Sequence, residues 1–324
     1  MRTSRAPVAG GVRRAPLPFL AERDAQRARH RVPGQGEAAI IERYRFGLLP
    51  IEPEAKARVH ALVAALGASL DATIELHQAA NYRALVAALR EGLVHFAWLP
   101  PLSAALAKRE HSITPVAISV RSGASSVMTA LFTLRSSKIV SLADLQWVRV
   151  AWVDRDSASG YAVVRHALRS AGVVLTDAFR DELFVRSHAE VRRAVKDGRA
   201  DVGATCFHAE GGRLRIATSG HEVNIGLDDD EVRLLCEAGP IPADIFAAHR
   251  SVPPRVIAAI DKALVHAGAP GALKARAMVV MRADDFARPT EAHMRMLDTL
   301  YETIIAPRSN PPPRSHPPTR PPTR

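Results

Sequence analysis

From residue 44 to residue 304 the chain alternates short strand-like runs with longer helical ones, and this alternation restricts its fold more than any other feature. YRFGLLP (44–50), TIELH (73–77) and VHFAWLP (94–100) are strand-like, and Pro100 and Pro101 stop the last of them. Between them lies EAKARVHALVAALGASL, with Val59, Leu62, Val63 and Leu66 on one helical face. The next helix, YRALVAALREG, has Asn81 as its cap and Gly92 at its end. TPVAISV, VMTALFTL and VRVAWV continue the strands. DELFV and ADVGATC flank the helix HAEVRRAVKDG, and VRLLCEA is a further strand. Helices near 254–267 and 290–304 close the pattern. Repeated β–α units predict an α/β architecture with mainly parallel sheets. The 324 residues suffice for two lobes, and no internal repeat is evident.

One junction in this pattern is chemically distinctive. In WVDRDSASGYAVVRHALRSAG (152–172) a strand ends, Asp, Ser, Ala, Ser and Gly follow, and Tyr161, Val164, Leu168 and Ala171 resume helical spacing. The spacing predicts a helix from about Ser159. Ser157 and Ser159 there suit helix capping. They equally suit an anion site, because a helix start offers free N–H groups and partial positive charge. Local chemistry leaves both readings open. Ligands of open α/β sheets do bind at the carboxyl ends of strands, where this junction lies.

Charge and motif content remove several function classes. The net charge is +11, but residues 1–43 hold +5 and residues 305–324 hold +4, so residues 44–304 carry only +2. The excess sits in the ends, and no specific nucleic-acid partner is expected of the folded part. The Pro/Arg-rich 305–324 and the basic 1–42 are expected to be disordered extensions that can contact acidic surfaces. Cys206 and Cys236 form neither a disulfide framework nor a metal set; buried thiols are expected, with a single bridge as the alternative. Asp228, Asp229, Asp230 and Glu231 form a solvated acidic loop rather than a calcium loop. Asp201 is assigned a structural role at a strand. No P-loop, G-x-S-x-G, H-E-x-x-H or dinucleotide fingerprint is present. Ser157 and His188 have no third orienting group to make a catalytic set. No enzyme activity, cofactor or metal is expected.

Four segments occur in a fixed order: NYRALVAALREGLVHFAWLPPLSA, SLADLQWVRVAWVDRDSASGYAVVRHALRSAG, SHAEVRRAVKDGRADVGAT and VRLLCEAGPIPADIF. Together they resemble the phosphate/phosphite/phosphonate-binding proteins of ABC importers, over about residues 44–304. The resemblance implies a type II periplasmic-binding-protein fold: two α/β lobes, a hinge and a ligand cleft. Residues 43–129 plus 241–304 would form lobe 1, and residues 130–240 lobe 2. It implies an oxyanion held at a Ser-Thr-Ser run, here Ser157, Ala158 and Ser159, with Tyr82 and His188 around it. Ala158 replaces the middle hydroxyl, and Met128 aligns with a second family tyrosine. The turn AGPIPADI (238–245) would be a hinge or line the cleft. The implied partners are a small oxyanion and an ABC permease, and the implied location is periplasmic. Arg13 and Arg14 precede an apolar run that Glu22 cuts short, so the sequence as written lacks a convincing export signal and reads as cytoplasmic. Three rival readings use the same scaffold: a sensor or partner-binding module with an altered ligand, an enzyme, and a protein that binds nucleic acid through its basic ends.

Overall fold

The computed structural model describes residues 42–50, 53–210, 213–216, 229–266 and 271–306. The expectations for the two basic ends and for Asp228 lie outside the described residues. The chain runs through β1 (Glu42–Leu48), α1 (Lys56–Leu70), β2 (Ala72–Gln78), α2 (Tyr82–Arg90), β3 (Phe96–Leu99), α3 (Pro101–Arg109) and β4 (Ile113–Val120). It crosses to β5 (Ser126–Leu134), β6 (Val148–Trp152), α4 (Val163–Ser170), α5 (Leu175–Ala178), β7 (Phe179–Phe184), α6 (His188–Lys196), β8 (Val202–Glu210), β9 (Arg213–Ile216) and β10 (Val232–Pro242). It returns to β11 (Ile245–His249), α7 (Pro254–Leu264), α8 (Ala272–Met281), β12 (Asp285–Ala287) and α9 (Glu291–Leu300).

Two sheets result, ordered β12-β4-β11-β3-β1-β2 and β10-β5-β8-β6-β7, with β9 paired to β8. β1 is parallel to β2 and β3, and β6 is parallel to β7 and β8, as the helical connections require. β4, β11 and β12 pair antiparallel, as do β5 and β10, so each sheet is mixed. The α/β architecture is as expected, but the sheets are not mainly parallel: four strand pairings among the described residues are parallel and six antiparallel, because β4, β11 and β12 and the β5–β10 and β5–β8 pairs are joined without a helical crossover between parallel neighbours.

Each sheet buries both faces, which explains why its strands read as continuous apolar runs. In the first lobe Phe46 stacks on Phe246 at 5.6 Å, above Leu62, Leu66 and Ile260. Leu85, Leu89, Leu99 and Ile118 fill the opposite face. In the second lobe Trp152, Val150 and Leu168 pack on one face, and Phe132, Phe207, Val191 and Val195 on the other. Each such side chain contributes about 1.5–3 kcal/mol on burial.

Two short segments, 121–125 and 243–244, carry the chain between the sheets and are tied together. Ala243 N–H donates to Ser125 O at 2.9 Å, and Ser119 N–H donates to Asp244 O at 3.0 Å. Arg121 pairs with Asp244 at 2.7 Å and also donates to the carbonyls of Met281 and Arg282. α9 spans both lobes. It packs on α3, where Lys108 pairs with Asp298, and on β10. Thr290 N–H donates to His293 Nδ1, so the imidazole carries its proton on Nε2 and donates it to Ser125 Oγ at 2.9 Å. The C-terminal helix is therefore fastened to the crossover itself.

Candidate functional site

The junction after β6 folds as a π turn, Ala158–Ala162, before α4 begins. This differs from the α-helical start at Ser159 that the spacing suggested. The cause is local. Gly160 sits so close to the end of β6 that an added Cβ would stand 2.3 Å from Val153 Cγ2. The extra residue in the turn lets the backbone lie against the strand end before the regular helix takes over. Asp154 shapes the approach: its Oδ1 accepts the N–H of Asp156 at 2.9 Å, and its carbonyl accepts the N–H of Ser157 at 3.1 Å.

Ser157 is the cap. Its Oγ accepts the Gly160 N–H at 3.0 Å, and its side chain is almost fully buried. The first N–H groups of any helical turn have no partner inside it, and here the side chain of Ser157 takes one of them. Ser159 faces a polar chain. Its Oγ lies 3.4 Å from His188 Nε2, and His188 Nδ1 lies 3.0 Å from Thr205 Oγ1. His188 is the first residue of α6, which Ser187 caps by accepting the Glu190 N–H at 3.2 Å. Thr129, fully buried in β5, places its hydroxyl against the Ser159 carbonyl and 3.0 Å from the Thr205 carbonyl. A His188 that donates from Nε2 to Ser159 Oγ leaves the serine proton for an outside acceptor.

The structure thus joins Ser157, Ser159 and His188 in one wall. Ala158 belongs to the same turn, but it is only 6% exposed and packs with the apolar core. Met128 lies on β5 next to Thr129, and successive strand residues face opposite sides. Its side chain meets the core on the other face of the sheet, with Sδ 3.1 Å from where a Cβ on Gly239 would stand. Thr129, not Met128, is the β5 residue that meets the π turn. Thr129 and Thr205 were missed by sequence reading. Their only signal was a hydroxyl inside otherwise apolar strands, TALFTL and VGATC.

Tyr82 belongs to the opposite wall, at the start of α2, where Asn81 accepts the Ala84 N–H at 3.0 Å. It shares a groove with Asp156 of the second lobe, so the two walls meet there. Burial first, and then the charges of Asp154, Asp244 and Asp156, push the Tyr82 phenol up to about 12. The ring therefore stays protonated and remains a donor at any physiological pH. Tyr82 also borders a cavity of about 420 Å³ at the carboxyl ends of β1 and β3, lined by Leu48, Leu49, Arg58, Trp98, Pro100 and Arg282 among others. Both walls therefore stand at carboxyl ends of parallel strands.

Asp201 accepts from the Arg149 backbone N–H at 2.8 Å and from its guanidinium at 2.6 and 3.1 Å, which gives it a structural role. Cys206 and Cys236 form no disulfide, and both are half-buried rather than buried as expected. Among the described residues no group of three His, Cys, Asp or Glu side chains converges as a metal site, and no helix is long and apolar enough to cross a membrane.

Residues 46–294 match the family model for the phosphonate periplasmic substrate-binding protein of ABC transporters. Among solved structures, a Xanthomonas citri protein bound to ATP superposes with a TM-score of 0.64 at 19% identity, covering 83% of this chain and 99% of that one. A binding-protein component of an ABC phosphonate transporter from Pseudomonas aeruginosa gives 0.61 at 18% identity, covering 81% and 87%. PhnD1 from Prochlorococcus marinus, in complex with methylphosphonate, gives 0.59 at 16% identity, covering 81% and 97%. At these identities the structural likeness establishes the fold.

Proposed function

The chain belongs to the phosphonate periplasmic substrate-binding family of ABC transporters, and from that premise we propose that it holds a small phosphate- or phosphonate-like oxyanion at the π turn after β6. The family is one of solute-binding proteins and not a class of enzymes. The observation that carries the reading is the turn itself. A helical start has a buried Ser157 fixing it and a Ser159 hydroxyl held in place by His188 and, through it, Thr205. Donors held by the protein before the ligand arrives can replace hydration without a cationic side chain.

In this reading Ser157 and Ser159 supply the first contacts and Tyr82 adds its hydroxyl from the other lobe. His188 positions Ser159. The lobes close about the crossovers 121–125 and 243–244, and the closed form is the one an ABC permease would receive. Ala158 contributes a backbone N–H and no hydroxyl, so the site has one donor fewer than a Ser-Thr-Ser run. At about 1.5–3 kcal/mol for a hydrogen bond to a charged group, that omission weakens a small anion by about 10- to 100-fold.

Titration calorimetry with phosphate, phosphite and methylphosphonate tests the proposal. Saturable one-to-one binding of at least one of them, lost in a Ser157→Ala/Ser159→Ala double variant, is the expected result. Absence of heat with all three would overturn the oxyanion assignment while leaving the fold untouched.

A further inference from the structure

After α9 the chain makes a second π turn, Tyr301–Ile305, and Ile305 ends on a groove of about 390 Å³ between α2 and α3. Residues 307–324 therefore start at the rim of that groove. Val86, Leu102, Leu106 and Ile305 give it an apolar surface, and Tyr82 and Asp156 bring the two lobes together on it. Proline-rich segments bind aromatic and apolar grooves of this kind, because their extended form is already set before contact.

The segment that starts there, PRSNPPPRSHPPTRPPTR, is rich in proline and carries four arginines and no acid. Arg308, Arg314 and Arg320 stand six residues apart. A polyproline II helix has three residues per turn, so this spacing puts all three on one face.

Charge distinguishes the two grooves that flank the π turn. Glu110 and Asp156 lie on the first, with Arg83 and Arg90 as its own cations, and Asp154 and Asp244 stand close enough to act on the Tyr82 phenol. Arg90 already pairs with Glu110 at 3.8 Å and with Glu91 at 3.4 Å. The second groove, on the Ile304 side, lies between α4, β10 and α9. It is lined by His166 and Arg295 and has no carboxylate. A cationic segment is attracted to the first and not to the second.

We infer that residues 307–324 dock back onto their own chain, along the groove between α2 and α3. The prolines lie on Val86, Leu102 and Leu106, and the arginine face turns to Asp156 and Glu110. The strap so formed spans both lobes at the edge of the cleft, where Tyr82 and Asp156 share the groove.

A benzophenone photo-cross-linker placed at Ser315 of the full chain, followed by peptide mapping, tests this without any anion present. Adducts are expected within one chain, on Tyr82–Arg90 and Pro101–Arg109. The Arg308→Ser/Arg314→Ser/Arg320→Ser variant, and the parent chain in roughly 1 M salt, should each lower their yield about fivefold, because the contact joins opposite charges. Adducts on Val163–Ser170 and Glu291–Leu300 would assign the segment to the second groove, and adducts between two chains would assign it to another copy. Either result would overturn the inference, as would the absence of adducts or a yield that neither the variant nor salt changes.

Discussion

The two walls of the cleft are built on opposite principles. The wall from the second lobe is polar and already hydrogen-bonded within itself: Ser157 to Gly160, Ser159 to His188, His188 to Thr205, and Thr129 to the Ser159 carbonyl. The wall from the first lobe is aromatic and apolar, with Tyr82, Trp98, Leu48 and Pro100. Its donors are less engaged, since the Trp98 indole nitrogen has no partner among the described residues. In the oxyanion reading proposed above, the contrast divides the labour of recognition. A rigid polar wall can fix an anion's position with little ordering cost on binding. An apolar wall discriminates by shape and by the few polar groups set into it.

If the second lobe's wall is rigid for the reason given, Gly160→Ala should have the largest effect. The new methyl would fall 2.3 Å from Val153 Cγ2 and 2.9 Å from Ser157 Oγ, so the π turn has to move off the strand end. Overpacking of this kind costs about 1–3 kcal/mol in stability. Oxyanion binding should be lost altogether, because both serines move with the turn. Denaturant titration and calorimetry measure the two effects. Retained affinity in this variant would break the claim that the turn is held in position by its packing.

Tyr82→Phe probes the other wall. It removes one hydroxyl without changing the ring, and should weaken the anion by about 10- to 100-fold, the range for one hydrogen bond to a charged acceptor. Stability should change little. A null result would mean that the first lobe contributes surface alone, which sharpens the division between the walls rather than removing it. The phenol's upward shift to about 12 sets a further condition: the wild-type affinity should show no Tyr82 titration below pH 10.

What the sequence revealed and what it hid follow the same division. The fold was legible because both lobes bury their sheets on two faces, and the apolar runs of β1, β3, β5 and β6 therefore stand out. Ser157, Ser159 and His188 were legible as candidates because they sit at helix starts, where small and polar residues interrupt the pattern. Thr129 and Thr205 were hidden because a hydroxyl in a central strand has no local signature; only the register of β5 on β8, which pairs Thr129 with Cys206 and Ala130 with Thr205, turns Thr129 towards the π turn on one face and Thr205 towards His188 on the other. The cavity beside Trp98 could not be read at all. It is assembled from the ends of β1, β3 and α8, which lie far apart in the chain.

A smaller test concerns the cap. Ser157→Ala removes the acceptor for the Gly160 N–H and should cost about 1 kcal/mol of stability, the usual value for a lost helix cap. Ser157→Gly should cost only a few tenths of that unit. Thermal unfolding of the pair separates capping from ligand contact, since both variants lose the hydroxyl and only one keeps a favourable cap residue. Equal destabilisation would mean that the serine acts through something other than its cap.

The smallest expected effect is a dependence on acidity confined to one side of the comparison. His95, His249 and His293 all have pKa values held below the usual 6.5, chiefly because burial disfavours their charged forms. Two of them stand in the first lobe, on either side of the β3–β11 pair, and the third fastens α9 to Ser125 at the crossover. The unfolded chain binds these protons more readily, so their contribution to stability is complete above pH 6.5 and is lost as pH falls below it towards the folded values. The depressed carboxylates, such as Asp201 beside Arg149, act only below their ordinary value of 3.8. Between pH 7 and pH 5 the thermal midpoint should therefore fall through the histidines alone. His293→Asn should make that fall shallower, and hydrogen exchange should locate the acid-induced loosening in the first lobe and α9 rather than in β5, β6 and β8. Loosening that began at the π turn would reverse the assignment of rigidity on which the contrast between the two walls depends.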